Sequence, residues 1–546
     1  MRRRTWLSVI ALAAGVGLLA TAAALASPAQ KRGGTLRLNF LFDIDSTDPA
    51  IGYEAVGWML EYATCAKLYN NPDKSAPEGT VTIPEVATGL PKVSPDGKTQ
   101  TIRLRQTFRF DNGQPVAAAN FVAAFNRDAN PKLHSPASSY FHEIVGADAV
   151  MEGKAQTISG VKALGAYAIR IRTTRPLPDL AARLTMPFFC PIAVNTPAVE
   201  IDDPLGSGPY YFASHVPNRQ IVLERNRFYR GSRPANVDRI VVTFGLGQAA
   251  CLQAVEQDQM DWCITYPPPA YRGLASTYGI NRSSGRFFFT PILGLEAFAF
   301  NHDRAAFKGP GQIPLAKAIN WAIDRHALAA AAGYLGGKRT DQILPPALGR
   351  DTSIYPLGGV TDRSLATARA LLAKARFKPK SLVLYAFSAG GSGVDKVWAQ
   401  IFQFDMKRLG IDVQIQYMSL NEFFNRTGTR GEPFDVAITP WIADFADGAA
   451  FFRPLLYGPN IAKAGNSNVA YFDVPKYNRE IDAADSLEGT ARRRAWTDLD
   501  AEMMRDDPPY APFMLITFRD FISKSYGCFI VQPALGRPDL AAACKK

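Results

Sequence analysis

The sequence predicts an α/β protein organised as about three domains or two large lobes, and three observations carry that expectation. At 546 residues the chain exceeds a single domain of roughly 100–200 residues. With 47% hydrophobic and 20% charged residues it can bury an ordinary core, which excludes a disordered chain and a small disulfide-only scaffold. Residues 382–415 read as strand, helix and strand in succession, the pattern of a right-handed βαβ unit. Gly and Pro, 43 and 39 in number, show no period, so collagen-like and low-complexity classes are also out.

In chain order, residues 1–26 come first and read as a signal peptide. Arg2, Arg3 and Arg4 are its basic start, Trp6 to about Leu25 its apolar stretch, and Ala24-Leu25-Ala26 a small-x-small cleavage site. Cleavage near Ala26 and a periplasmic destination are expected; a retained membrane anchor is the competing reading. Arg3-Arg4-Thr5-Trp6-Leu7 weakly resembles a twin-arginine signal, so the export route stays open. No later apolar run reaches the ~18 residues needed to span a bilayer.

Leu36, Leu38 and Phe40 alternate with other residues as a first strand. Ser94-Pro95-Asp96-Gly97 and Asp111-Asn112-Gly113 are turns on either side of an alternating stretch at 101–105. Residues 117–127 read as a helix with Phe121 and Phe125 one turn apart. Tyr167, Ile169 and Ile171 make another strand, stopped by Pro176 and Pro178, and 240–244 and 249–259 follow as strand and helix. Pro267-Pro268-Pro269 and the Gly/Ser-rich stretch 284–294 mark a boundary between lobes.

Beyond that boundary, 382–387 is a buried strand ending in the loop Ser388-Ala389-Gly390-Gly391-Ser392-Gly393. The next helix carries Val394, Val397, Ile401 and Phe404 on one face and ends at Gly410, before alternation at Ile411, Val413 and Ile415. Phe434, Val436 and Ile438 form a further strand that delivers Trp441 and Asp444 just beyond its carboxyl end. Open α/β sheets bind ligands in that crevice.

Catalytic signatures are missing from the sequence. It has no HExxH, no Walker loop and no GxSxG elbow; in Gly390-Gly391-Ser392-Gly393-Val394 a valine stands where the elbow needs its last glycine. Five histidines leave little for a metal site, and neither metal nor cofactor is expected. Asp444 and Asp447 are the one carboxylate pair to consider for an exported hydrolase. Arg492-Arg493-Arg494 reads as a solvated helix face rather than a phosphate-binding patch. Removing residues 1–26 takes away three arginines and no acid, so the net charge of +12 becomes +9. The six cysteines include no CxxC, and an oxidising compartment permits disulfides. The local pairs Cys251–Cys263 and Cys528–Cys544 are candidates among fifteen possible pairings.

Several segments together resemble one family, the extracytoplasmic solute-binding proteins of family 5, the oligopeptide- and dipeptide-binding component of ABC transporters. They are Gly33-Gly34-Thr35-Leu36-Arg37 with Thr47-Asp48-Pro49, then Arg103-Leu104-Arg105 and Phe110-Asp111-Asn112-Gly113-Gln114-Pro115. Gly206-Ser207-Gly208-Pro209-Tyr210, Arg225-Asn226-Arg227-Phe228-Tyr229 and Ala318-Ile319-Asn320-Trp321-Ala322-Ile323-Asp324-Arg325 continue the series. Residues 366–375 and Leu409-Gly410-Ile411-Asp412-Val413 close it. Asn120 departs from the family's usual Asp.

The resemblance implies a two-lobed periplasmic binding protein with a hinge and an extra subdomain in its first lobe. Lobe I is expected over 27–289, its insertion at about 56–195, lobe II over 290–505, and a return to lobe I over 506–546. It implies a monomer that captures a small solute, most simply a di- or oligopeptide, for an inner-membrane ABC permease, with no chemistry and no nucleic acid. Nickel chelates, opines and oligosaccharides are the alternative ligands. Trp441-Ile442-Ala443-Asp444 matches the family pattern in which an Asp three residues after a Trp holds the ligand's ammonium. The competing reading makes Asp444 a loop cap and Trp441 core. Ser388, Gly391 and Asp447 complete the candidate ligand-binding residues.

Overall fold

The computed structural model describes residues 32–350, 353–387 and 393–546. Alternation at Leu36, Leu38 and Phe40 becomes the strand Thr35–Phe40, with those three side chains buried. It lies parallel to Arg239–Phe244 on one side and Trp262–Cys263 on the other. Gln220–Arg225 and Tyr210–Val216 extend this lobe I sheet, antiparallel, to five strands.

The intervening chain forms a separate antiparallel sheet in the order Lys92–Val93, Thr99–Arg103, Ala168–Arg172, Val161–Ala163. The helix Ala118–Asp128 packs in the same core through Phe121 and Phe125. At its start Asn120 accepts from the Ala117 amide at 2.8 Å and donates to the Ile192 carbonyl at 2.7 Å. An ionised Asp could make only the first of these bonds. The departure at this position is therefore matched to its surroundings.

Two of the motif segments hold lobe I together. The Ser207 hydroxyl accepts from the Ala66 amide, and Asn226 donates to the Gly208 carbonyl at 3.1 Å. Gly208 lies so close to the end of the helix Ala55–Thr64 that a Cβ would sit 2.6 Å from the Ala63 carbonyl oxygen. Only glycine permits that approach.

Lobe II is a second five-stranded sheet, ordered Asp412–Met418, Ser381–Phe387, Val436–Ile442, Phe287–Phe300, Tyr510–Phe521. The first three strands are parallel, and the helix Val394–Lys407 crosses between two of them as the βαβ reading requires. Its packed face is only in part the predicted one, with Val394 and Ile401 half-buried against the core. Trp398, Ala399, Phe402 and Met406 point inward, while Val397 and Phe404 are 42% and 64% exposed. The larger indole and phenyl groups win the core: Phe402 lies 4.4 Å from Phe298 and Trp398 5.3 Å from Phe513, between ring centroids.

Two long strands join the lobes. Phe287–Phe300 and Tyr510–Phe521 run antiparallel from the Phe287–Phe521 pair to the Ala299–Tyr510 pair, and their register shifts between Pro291 and Leu295. Ile522 then bridges Trp262 of lobe I. Much of the Gly/Ser-rich stretch 284–294 is thus strand, and the ladder is irregular within it. The buried Arg325 fixes the helices of lobe II to the returning strand, donating to the Pro512 carbonyl at 2.7 Å and to Asn320 Oδ1 at 2.8 Å. All six cysteines are paired, as Cys65–Cys190, Cys251–Cys263 and Cys528–Cys544. Among the described residues no helix is long and apolar enough to cross a membrane.

Candidate functional site

The strand Val436–Ile442 carries Trp441 one residue before its end, and Asp444 follows two residues after it. The Trp441 indole donates to the Ala450 carbonyl at 2.9 Å, tying the strand to the helix Ala449–Leu456. That bond closes the short loop holding Asp444. Trp441 thus combines partial burial with a structural hydrogen bond.

Asp444 is 5% exposed. Its carboxylate accepts a hydrogen bond from the Tyr140 phenol of lobe I, and the Tyr53 phenol contributes another. Aromatic rings close around the group: Tyr53 packs on Phe188 at 5.4 Å and Tyr140 on Phe445 at 6.2 Å. Burial pushes the Asp444 pKa up to about 7, against the pull of the two phenols. Neutral donors only partly replace the water that the charge has lost. Among the described residues no cationic side chain pairs with it.

Asp447 sits differently. Arg492 grips both of its oxygens, at 2.7 and 2.9 Å. Asp444 and Asp447 are held by separate partners, which gives no support to a paired acid and base. Ser388 and Gly391, like residues 1–26 where a signal peptide is expected, lie outside the described residues.

Arg492 opens onto a charge cluster that the sequence did not disclose. Asp485 of lobe II meets Arg453 at 2.7 Å and Arg492 at 2.9 Å on its own lobe, and Arg175 of lobe I at 2.8 Å. Arg492 also reaches Asp179 of lobe I at 3.3 Å, and Arg183 joins Asp179 at 2.9 Å. Burial alone would raise the Asp485 pKa, but Arg453, Arg183, Arg492 and Arg175 more than offset it and hold the carboxyl well below the usual range. The expected solvated face at 492–494 is corrected at one position. Arg493 and Arg494 are exposed, whereas Arg492 is 6% exposed. The signal was available: Arg492 lies on the same helical stripe as Trp496, Leu499 and Met503.

Between the lobes lies a cavity of about 270 Å³. Ser139, Tyr140, Glu143, Arg175 and Arg183 line it from lobe I, and Phe445, Arg453, Tyr457, Asn460 and Asp482 from lobe II. Tyr140, whose phenol meets Asp444, and Phe445, the residue after Asp444, are part of that lining. Sequence reasoning missed Tyr53, Tyr140 and Arg453, because nothing in local spacing brings residues 53 and 140 to residue 444.

Comparison with known proteins agrees with this architecture. The family profile described as bacterial extracellular solute-binding proteins, family 5, matches residues 81–463. The periplasmic murein peptide-binding protein MppA of Escherichia coli is 25% identical over 486 residues, covering 86% of each chain. The periplasmic oligopeptide-binding protein OppA of Haemophilus influenzae is 24% identical over 426 residues, 74% of this chain and 75% of that one. Among solved structures, the clavulanic acid biosynthesis oligopeptide binding protein 2 superposes with a TM-score of 0.82 at 24% identity, covering 94% of this chain and 96% of the other.

Proposed function

Because this chain belongs to the bacterial extracellular solute-binding proteins of family 5, we propose that it captures a di- or oligopeptide between its lobes and delivers it to an ABC permease. It acts in the periplasm as a monomer, after cleavage near Ala26, and makes or breaks no bond in its ligand. Relatives described as periplasmic murein peptide- and oligopeptide-binding proteins support the ligand class. We take lobe I as 27–289 with its insertion at about 56–195, lobe II as 290–505, and 506–546 as the return, with the strand Tyr510–Phe521 shared by both lobes.

One observation carries the reading at the level of the site. Asp444 is a buried carboxylate at the lobe interface, surrounded by aromatic rings and, among the described residues, served by neutral phenols alone. A peptide's terminal ammonium supplies the missing positive charge, and the interaction gains strength from the low polarity around it. Trp441 shapes the loop that presents this anchor. Asp447 supports it from the side through Arg492, and Ser388 and Gly391 are proposed as further contacts from the loop after the Ser381–Phe387 strand.

The test begins with mass spectrometry of small molecules released from the purified, denatured protein. Thermal shift against di- to pentapeptides, opines, nickel chelates and oligosaccharides then follows. Peptide recovery, with stabilisation by peptides alone, is expected. A flat response to peptides and a shift with another class would replace the ligand assignment.

A further inference from the structure

We propose that a small cavity in lobe I, walled by Glu61, binds a monovalent alkali cation, whatever the lobes enclose between them. Glu61 stands in the helix Ala55–Thr64 and is 1% exposed. Among the described residues neither of its carboxylate oxygens has a hydrogen-bond partner. A buried carboxylate left so is costly unless something positive meets it.

The cavity beside it has the size and the lining for such an ion. Glu61, Thr47, Thr64 and Ser207 supply its polar side chains, and the half-buried Pro204 and Leu205 form its way in. It offers about 20 Å³ for the centre of a water-sized body, against the ~10–15 Å³ that one such body needs. Thr47 donates its hydroxyl proton to the Asp202 carbonyl at 2.7 Å, and Thr64 to the Glu61 carbonyl at 3.4 Å. Both hydroxyls thus keep lone pairs rather than protons to offer. Ser207 Oγ accepts from the Ala66 amide at 2.9 Å, and its own proton does not reach Glu61. The other lining side chains are apolar or, at Cys65–Cys190, joined in a disulfide. A carboxylate and acceptor oxygens around one small space suit a hard cation.

The surrounding charges point the same way. Asp48 is engaged through both oxygens by Arg127, at 2.8 and 2.5 Å, and Asp45 accepts from the Tyr53 and Glu54 amides at 2.6 and 3.0 Å. Lys67 also acts on Glu61, but its ammonium lies over the Tyr62 ring at 3.6 Å and makes no bond to the carboxylate. Burial, with Asp45 and Asp48 adding to it, pushes the Glu61 pKa well up. The carboxyl therefore takes a proton or pairs with a cation. A water donates a hydrogen bond there but leaves the charge unbalanced. Among the described residues no three His, Cys, Asp or Glu side chains are grouped as metal ligands, so a zinc or calcium ion lacks its ordinary ligand set. Glu61 Oε1 occupies the place that a Cβ at Gly52 would take. Gly52 precedes Tyr53, whose phenol serves Asp444, so the ion steadies the root of that loop.

Thermal denaturation of the purified mature protein tests this in sodium, potassium and N-methylglucamine chlorides at equal ionic strength and pH 8. Sodium or potassium should raise the melting temperature saturably, by about 1–3 °C at tenfold excess over the dissociation constant. N-methylglucamine, too large for the cavity, should not. Glu61→Gln keeps the side chain's size, removes its charge and should abolish the difference. Crystals grown in rubidium chloride should show an anomalous peak beside the Glu61 carboxylate. Equal melting in alkali and N-methylglucamine salts overturns the proposal. A difference that survives in Glu61→Gln does so too, as does a cavity that holds water and no rubidium. If Glu61→Gln does not fold, the rubidium peak in the wild type decides.

Discussion

The phenol of Tyr140 in lobe I donates a hydrogen bond to the carboxylate of Asp444 in lobe II. The proposed ammonium anchor is therefore also a contact between the lobes. In the proposed role, capture and closure would share one carboxylate, and a ligand would reach it by exchanging with the Tyr140 hydroxyl. Hinge closure and binding are coupled to the extent that this exchange favours one arrangement.

Replacing Asp444 by Asn separates binding from stability. The amide removes the negative charge that pairs with an ammonium, so peptide affinity should fall by about 2–5 kcal/mol. The same change removes a buried, uncompensated charge, so melting temperature at pH 8 should stay level or rise. Calorimetry and thermal denaturation measure the two sides. Unchanged affinity would remove Asp444 from the anchor role.

The pH dependence follows from the same group. With a pKa of about 7, Asp444 is mostly protonated at pH 6 and mostly ionised at pH 8. Affinity for peptides should accordingly drop about tenfold from pH 8 to pH 6. Stability moves in the opposite sense, because the folded pKa lies above the unfolded value. The contribution is fully present below about pH 4 and is lost as pH rises to about 7, amounting to at most ~4 kcal/mol. Asp444→Asn should therefore gain on the wild type across pH 5–8 in denaturant titrations.

Gly208→Ala tests the motif that binds lobe I together. A new Cβ would meet the Ala63 carbonyl and the Cys65 amide at 2.6 Å, both backbone atoms. Overpacking of this kind costs about 1–3 kcal/mol. The denaturation midpoint should drop while peptide specificity is preserved, since Gly208 lies in the lobe I scaffold. A neutral effect would show that the helix end yields.

Much of this architecture was legible because it is local. The period-two runs at Leu36–Phe40 and Val436–Ile438, and the strand–helix–strand at 382–415, needed only neighbouring residues. Motif order supplied the two lobes and pointed to Trp441 and Asp444. What escaped was everything that depends on contact across the lobes. Tyr53 and Tyr140 are ordinary aromatic residues until folding brings them to Asp444. The helix Val394–Lys407 offered two apolar stripes, and only the packing of Phe298 and Phe513 decided between them. Arg492 was hidden in a run of like residues whose other two members do face water.

Arg492 is where that hidden information bears most weight. Its guanidinium holds Asp447 with two bonds, reaches Asp485 and Asp179, and donates to the Asp485 carbonyl at 2.5 Å. Arg492→Ala would leave three carboxylates short of a partner, two of them without side-chain exposure worth more than 1%. Breaking a buried pair by removing one member costs about 3–5 kcal/mol. Arg493→Ala, one residue away and exposed, should stay within ~0.5 kcal/mol of wild type. Because Asp447 flanks the loop that carries Asp444, the Arg492 variant should also bind peptides more weakly at a temperature where it remains folded. Urea denaturation of the two variants side by side, with affinity measured for each, checks both parts. Equal stability of the pair would mean that the cluster redistributes its charges around the gap and that Arg492 holds nothing its neighbours cannot.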